Sequence, residues 1–92
     1  MKKGTYKISS SLMLQIIDDE ALLMDTNTQQ FYELNEGGVV LWKIMKEHNS
    51  FNDVIDDMLE AYEVSKEQVQ QDLEVFISYL IKHDLLKINE SI

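Results

Sequence analysis

Residues 21–42 read ALLMDTNTQQFYELNEGGVVLW, and the order of residue types in that stretch leaves few folds open. An apolar run, a polar Asp-Thr-Asn-Thr break and a second run ending in Tyr-Glu-Leu predict a β-hairpin. Asn35 then has the character of a helix N-cap, because its side-chain oxygen accepts from unpaired amides of the first turn. Leu41, Trp42 and Met45 recur at helical spacing, which predicts a helix over 36–47. Gly37 and Gly38 fall in its first turn, where each costs about 1 kcal/mol relative to alanine. Either close packing against the sheet requires them or the helix end tolerates them. No nucleophile, metal-ligand cluster or phosphate loop accompanies this unit. It points to a binding surface made of a sheet edge and helices.

The flanking sequence extends the pattern. Residues 13–17 (MLQII) precede an acidic turn, Asp18-Asp19-Glu20, so strands at 13–17, 21–25 and 30–34 form an antiparallel meander. Residues 6–10 either lengthen the first strand or form a disordered arm. Ser50-x-x-Asp53 is a capping-box pattern opening a second helix, with Phe51, Val54, Ile55, Met58, Leu59 and Tyr62 in a 3.6-residue period. After Glu63-Val64, a second box, Ser65-x-x-Gln68, opens the longest helix, which runs to about His83. Its core stripe is Val69, Leu73, Phe76, Ile77 and Leu80. A second row, Asp72, Val75, Tyr79 and Lys82, carries two apolar residues beyond what one stripe needs. They pack under neighbouring strands or stand free as a contact surface. Residues 85–88 (LLKI) read as a final strand. The expected fold class is α+β: a three-stranded antiparallel β meander followed by a three-helix, winged-helix-like bundle with a short terminal β wing. It forms one domain over 1–92, with its core at about 13–88.

Charge narrows the partners. Seventeen acidic residues against eight lysines and no arginine give a net charge of −9. Nucleic-acid binders draw most of their affinity from Lys and Arg on phosphates, and arginine is the usual reader of guanine edges. Direct DNA binding is therefore not expected, and basic peptides are the favoured partners. With no cysteine, disulfides and thiol chemistry are excluded. The polar start, MKKGTYKISSS, is unlike a secretory signal. No apolar run approaches the ~20 residues of a membrane span. A cytoplasmic protein without membrane attachment is expected, and self-association stays open.

Other residues read as structural. His48 and His83 are far apart and are expected to be satisfied or solvated rather than ligands or bases. The acidic runs lack the spacing of a calcium loop. Met13, Met24, Met45 and Met58 are expected to fill core gaps, and Trp42 to be core. Strand alternation puts Tyr32 and Leu34 inward and Phe31 and Glu33 outward. No catalytic residue, metal ligand or cofactor site emerges.

Leu22-Leu23-Met24-Asp25, then Phe31-Tyr32-Glu33-Leu34-Asn35-Glu36, then Leu41-Trp42 resemble the PqqD-like proteins, also called RiPP recognition elements. So do Ala61-Tyr62-Glu63-Val64, Val69, Asp72-Leu73, Leu80-Ile81 and Leu85-Leu86. The likeness runs from about residue 13 to residue 88. It departs in two turns where the family commonly has glycine. Asp84 stands before Leu85, and Asn27-Thr28-Gln29 follows the Leu-Met-Asp strand. Asp84 and Asn27 both tolerate a left-handed backbone.

The resemblance implies that this domain binds the leader segment of a ribosomally made precursor peptide. The leader would add as a strand beside residues 30–34 and pack against the longest helix. By position the peptide-binding residues would be Gln29, Gln30, Phe31, Tyr32, Glu33, Leu34, Asp72, Val75, Tyr79 and Lys82, with Phe31, Val75 and Tyr79 lining a pocket. Trp42 and Tyr62-Glu63-Val64 look most like the discrete leader-binding proteins of lasso-peptide pathways, which serve a leader peptidase or other modifying enzyme. The alternative within the family is a peptide chaperone of pyrroloquinoline quinone biosynthesis. A winged-helix transcription regulator is the rival class, but the acidic long helix, with Glu67, Asp72 and Glu74, opposes it.

Overall fold

A computed structural model describes residues 4–89. The meander forms as expected: β2 (Leu12–Ile17), β3 (Glu20–Asp25) and β4 (Gln30–Leu34) pair antiparallel in the order β2-β3-β4. Ile17 opposes Glu20 across a two-residue turn in which Asp18 and Asp19 both have positive φ, 50° and 65°. That conformation matches the right-handed twist of the strands. In the β3–β4 turn the left-handed residue is Gln29 (φ 62°), not Asn27. The turn is instead organised by Asp25, whose carboxylate accepts from the Asn27 amide and from Ser11 Oγ, each at 2.9 Å. These bonds hold the Asp25 carboxyl below its ordinary pKa.

Residues 6–10 neither lengthen the first meander strand nor form an arm. β1 (Thr5–Ile8) pairs antiparallel with β5 (Leu86–Asn89) in a separate two-stranded sheet, with Thr5 opposite Asn89. Tyr6 is buried against Phe51, with ring centroids 4.9 Å apart, and its hydroxyl donates to the Met45 carbonyl at 2.7 Å. Burial, with Asp53 adding to it, pushes the pKa of that hydroxyl upward.

Helices α1 (Glu36–Glu47), α2 (Phe51–Ala61) and α3 (Lys66–Lys82) pack on one another, α1 also against β4, and share a core with the inner face of the meander. Asn35 caps α1, its Oδ1 accepting from the Gly38 amide at 2.7 Å. Ser65 caps α3 through the Gln68 amide at 3.1 Å, but the Gln68 side chain turns forward to Asp72, so the reciprocal half of the box is unmade. Ser50 makes no side-chain cap. Its backbone bridges to Thr5, and the Phe51 amide donates to the Gly4 carbonyl. The N-terminal segment thus satisfies the first orphan amide of α2, one that the capping box does not serve.

Helix α3 ends with Asp84 in the left-handed region (φ 63°). The Leu85 amide reaches the Leu80 carbonyl at 2.8 Å and the Asp84 amide reaches Ile81 at 3.0 Å. This is a Schellman closure. Val69, Leu73, Phe76, Ile77 and Leu80 are all buried, as are Leu23, Trp42 and Met45. Met24 and Met58 are partly covered, while Met13 is 51% exposed. It stands on the outer sheet face, which no helix covers. Tyr62, expected on the α2 stripe, caps that helix and is also exposed.

Candidate functional site

A groove of about 870 Å³ opens between the end of β4, the start of α1 and the exposed side of α3. Glu33 and Leu34 line it from β4, and Asp72, Val75, Phe76 and Tyr79 from α3. Asn35 through Gly38, with Val40 and Leu41, form the α1 wall, and Met58, Tyr62 and Val64 close the far end. A Cβ on Gly38 would stand 3.3 Å from Asn35 Oδ1 and 3.5 Å from Leu34, which is tight. A Cβ on Gly37 would meet only Asn35 Oδ1, at 3.6 Å. The glycine pair therefore serves close packing on one side and leaves the groove wall low on the other.

Five of the ten residues singled out from the sequence, Glu33, Leu34, Asp72, Val75 and Tyr79, line this groove. Val75 is 67% exposed there, so it faces the opening rather than packing under a strand. Gln29, Gln30, Phe31, Tyr32 and Lys82 lie outside it. Phe31 is on the outer sheet face, opposite Met24, which in turn opposes Met13. The pocket expected from Phe31, Val75 and Tyr79 is thus not one concavity, because strand alternation sends Phe31 to the other side of the sheet from α3. Tyr32 points toward the end of α3, beside the groove. Its ring lies 4.9 Å from His83, which lies 4.8 Å from Tyr79. His83 is therefore a wedge between β4 and α3. Burial, with Tyr32 and Glu33 nearby, holds the Tyr79 hydroxyl above its usual pKa, so it stays neutral at ordinary pH. His48, at the end of α1, meets Asp57 of α2 at 3.0 Å.

The main chain of β4 is the other half of the site. The Thr26 amide donates to the Ser11 carbonyl at 3.0 Å, in register with Leu12 opposite Asp25. That contact fixes the alternation of antiparallel bonds across the meander. By it, Gln30, Tyr32 and Leu34 turn their amides and carbonyls to β3, while Phe31 and Glu33 turn theirs to the open edge.

Residues 20–86 match the family model described as Coenzyme PQQ synthesis protein D (PqqD). The chain belongs to the PqqD family. Among solved structures, "TbiB1 in Complex with the TbiA(beta) Leader Peptide" is similar at 27% identity and a TM-score of 0.74, covering 92% of this chain and 99% of that one. "Lasso peptide synthetase B1 complexed with the leader peptide" shares the fold at 16% identity and a TM-score of 0.71, covering 89% and 96%. No curated protein matches. The PqqD fold accounts for the meander, the three helices and the terminal strand. Among the described residues, no helix is long and apolar enough to cross a membrane.

Sequence reasoning does not assign Asn35 to Gly38, Val40, Leu41, Met58, Tyr62, Val64, Val69 or Phe76 to the site. The glycine pair was the available signal.

Proposed function

We propose that this protein is a non-catalytic adaptor that holds the leader segment of a ribosomally made precursor peptide as an added strand on β4. It then presents the peptide to a processing enzyme in the cytoplasm, the leader peptidase of a lasso-peptide pathway. The observation that carries this reading is a strand edge, at Phe31 and Glu33, unpaired among the described residues and running along the rim of an apolar groove. Strand addition supplies main-chain bonds that any peptide could make, so selectivity comes from side-chain pockets. Leader side chains entering the groove would meet Leu34, Val75, Phe76 and Tyr79. Glu33, Glu36 and Asp72 at the groove favour lysine or arginine in the leader, each contributing little if exposed. The similarity to the TbiB1 complex with its leader peptide supports the same reading.

The description of the matched family favours a second reading, a peptide chaperone for pyrroloquinoline quinone synthesis. Both share the binding step, and the genes beside this one separate them. Calorimetry on the isolated protein, with leader and core segments of the neighbouring precursor titrated separately, tests the proposal. Binding of the leader alone at micromolar concentration, about −8 kcal/mol, is expected. Equal affinity for both segments, or none for the leader, overturns it.

A further inference from the structure

Among the described residues, the exposed large apolar side chains fall mainly into two groups. Tyr62, Val64 and Val75 belong to the groove, whereas Met13, Ile16 and Ile17 all stand on β2, at the opposite edge of the meander. That strand reads LMLQII. It carries none of the charges or prolines with which proteins blunt an open edge, in a chain whose net charge is −9. It is also symmetric in polarity about Gln15: Leu14 and Ile16 flank it at one step, Met13 and Ile17 at two.

We propose that β2 pairs antiparallel with β2 of a second copy about a two-fold axis through Gln15, joining two meanders into one six-stranded sheet. The hydrogen-bond phase fits this register. The bond from Thr26 to Ser11 means that Met13, Gln15 and Ile17 face β3 with their main-chain groups, leaving those of Leu14 and Ile16 on the open edge. The two-fold sets Leu14 against Ile16 of the partner copy, the pairing in which both exchange amide and carbonyl bonds. Met13 then covers Ile17 on the outer face, and the two Gln15 side chains meet on the axis. The acidic Asp18-Asp19 turns lie at opposite ends of the paired strands, so acid does not face acid. Such an interface is isologous and closes on itself. Both β4 edges and both grooves stay free at the ends of the joined sheet, so this pairing is independent of what the groove binds. A single strand edge falls at or below the small end of stable interfaces, so the dimer is a weak one.

Sedimentation equilibrium on the full chain from roughly 1 µM to 1 mM tests the pairing. A monomer–dimer equilibrium is expected, weakened tenfold or more by Ile16→Lys and by Gln15→Lys, with unchanged melting temperatures. Phe31→Lys on the other edge should leave it intact. A monomer at every concentration overturns the proposal and leaves β2 to a different partner. So does a dimer that survives both β2 variants, or one that only Phe31→Lys dissolves, which would place the copies edge to edge through β4.

Discussion

Replacing Tyr79 by alanine removes one wall of the groove while leaving the core stripe of α3 in place. Tyr79 is partly buried, and its ring meets His83 edge-on at 4.8 Å. Folding therefore loses that ring contact, about 0.5–1.5 kcal/mol, together with the apolar area by which the ring packs on the core, from a total of about 5–15 kcal/mol. Each kcal/mol lowers the melting temperature of a domain this size by roughly 4–8 °C. Leader binding loses an anchor. Truncating a hot-spot aromatic costs about 2 kcal/mol or more, close to a thirtyfold rise in Kd. Leu73→Ala is the contrast, because Leu73 is fully buried and lines no groove. There a cavity costs about 2–5 kcal/mol of stability, with affinity in the folded fraction retained. Thermal melts and calorimetric titration with the leader peptide, run on both variants, separate the two effects. If Tyr79→Ala lowers the melting temperature as much as Leu73→Ala and leaves Kd unchanged, Tyr79 is a packing residue. The assignment of the groove then fails.

Three further outcomes follow from local geometry. Asp25 has a depressed pKa in the fold, so the stability it contributes is present above its ordinary value of 3.8 and is lost as pH falls through the lower folded one. The urea midpoint of Asp25→Asn should accordingly fall less steeply with acid than that of the parent, and parallel curves would refute this. Asp84→Gly relieves a left-handed backbone that costs a non-glycine residue about 1–2 kcal/mol, offset by about 0.5–1 kcal/mol of glycine entropy. A melting temperature equal to or slightly above the parent's is expected, and a clear drop would mean that the Asp84 side chain contributes to the closure. Duplex DNA should give no salt-sensitive mobility shift even at low ionic strength, given the net charge of −9; a shift would revive the regulator reading.

The elements legible in the sequence were those specified by local chemistry. Asn35 and Ser65 announced their helices, and alternation placed Leu34 inward and Phe31 outward. Asp84 took the left-handed position that the glycine pattern implied. Long-range pairing was not legible. TYKI is as short as the terminal LLKI, but its partner lies some eighty residues away, in register with Asn89. The same N-terminal segment also bridges to the backbone at Ser50, whose side chain makes no cap. Alternation turned Phe31 outward, but that the outer row of α3 lies on the inner side of the sheet was not visible from spacing. The groove was half visible: the row on α3 could be read from helical spacing, whereas the wall from Asn35 to Val40 depends on how α1 leaves the sheet.

The pairing of Thr5 with Asn89 brings the beginning and the end of the described chain to the same spot. A chain entering at β1 leaves beside its point of entry, as a loop does. The unit can therefore be grafted into a surface loop of a larger protein, or its ends joined by a short linker and new ones cut elsewhere, without stretching the fold. Tethering an enzyme at either end would hang it from the same point relative to the β4 edge. Conversely, trimming residues 5–8 would strip β5 of its partner and uncover the pocket filled by the Tyr6 ring, so the first strand must travel with the rest in any fusion.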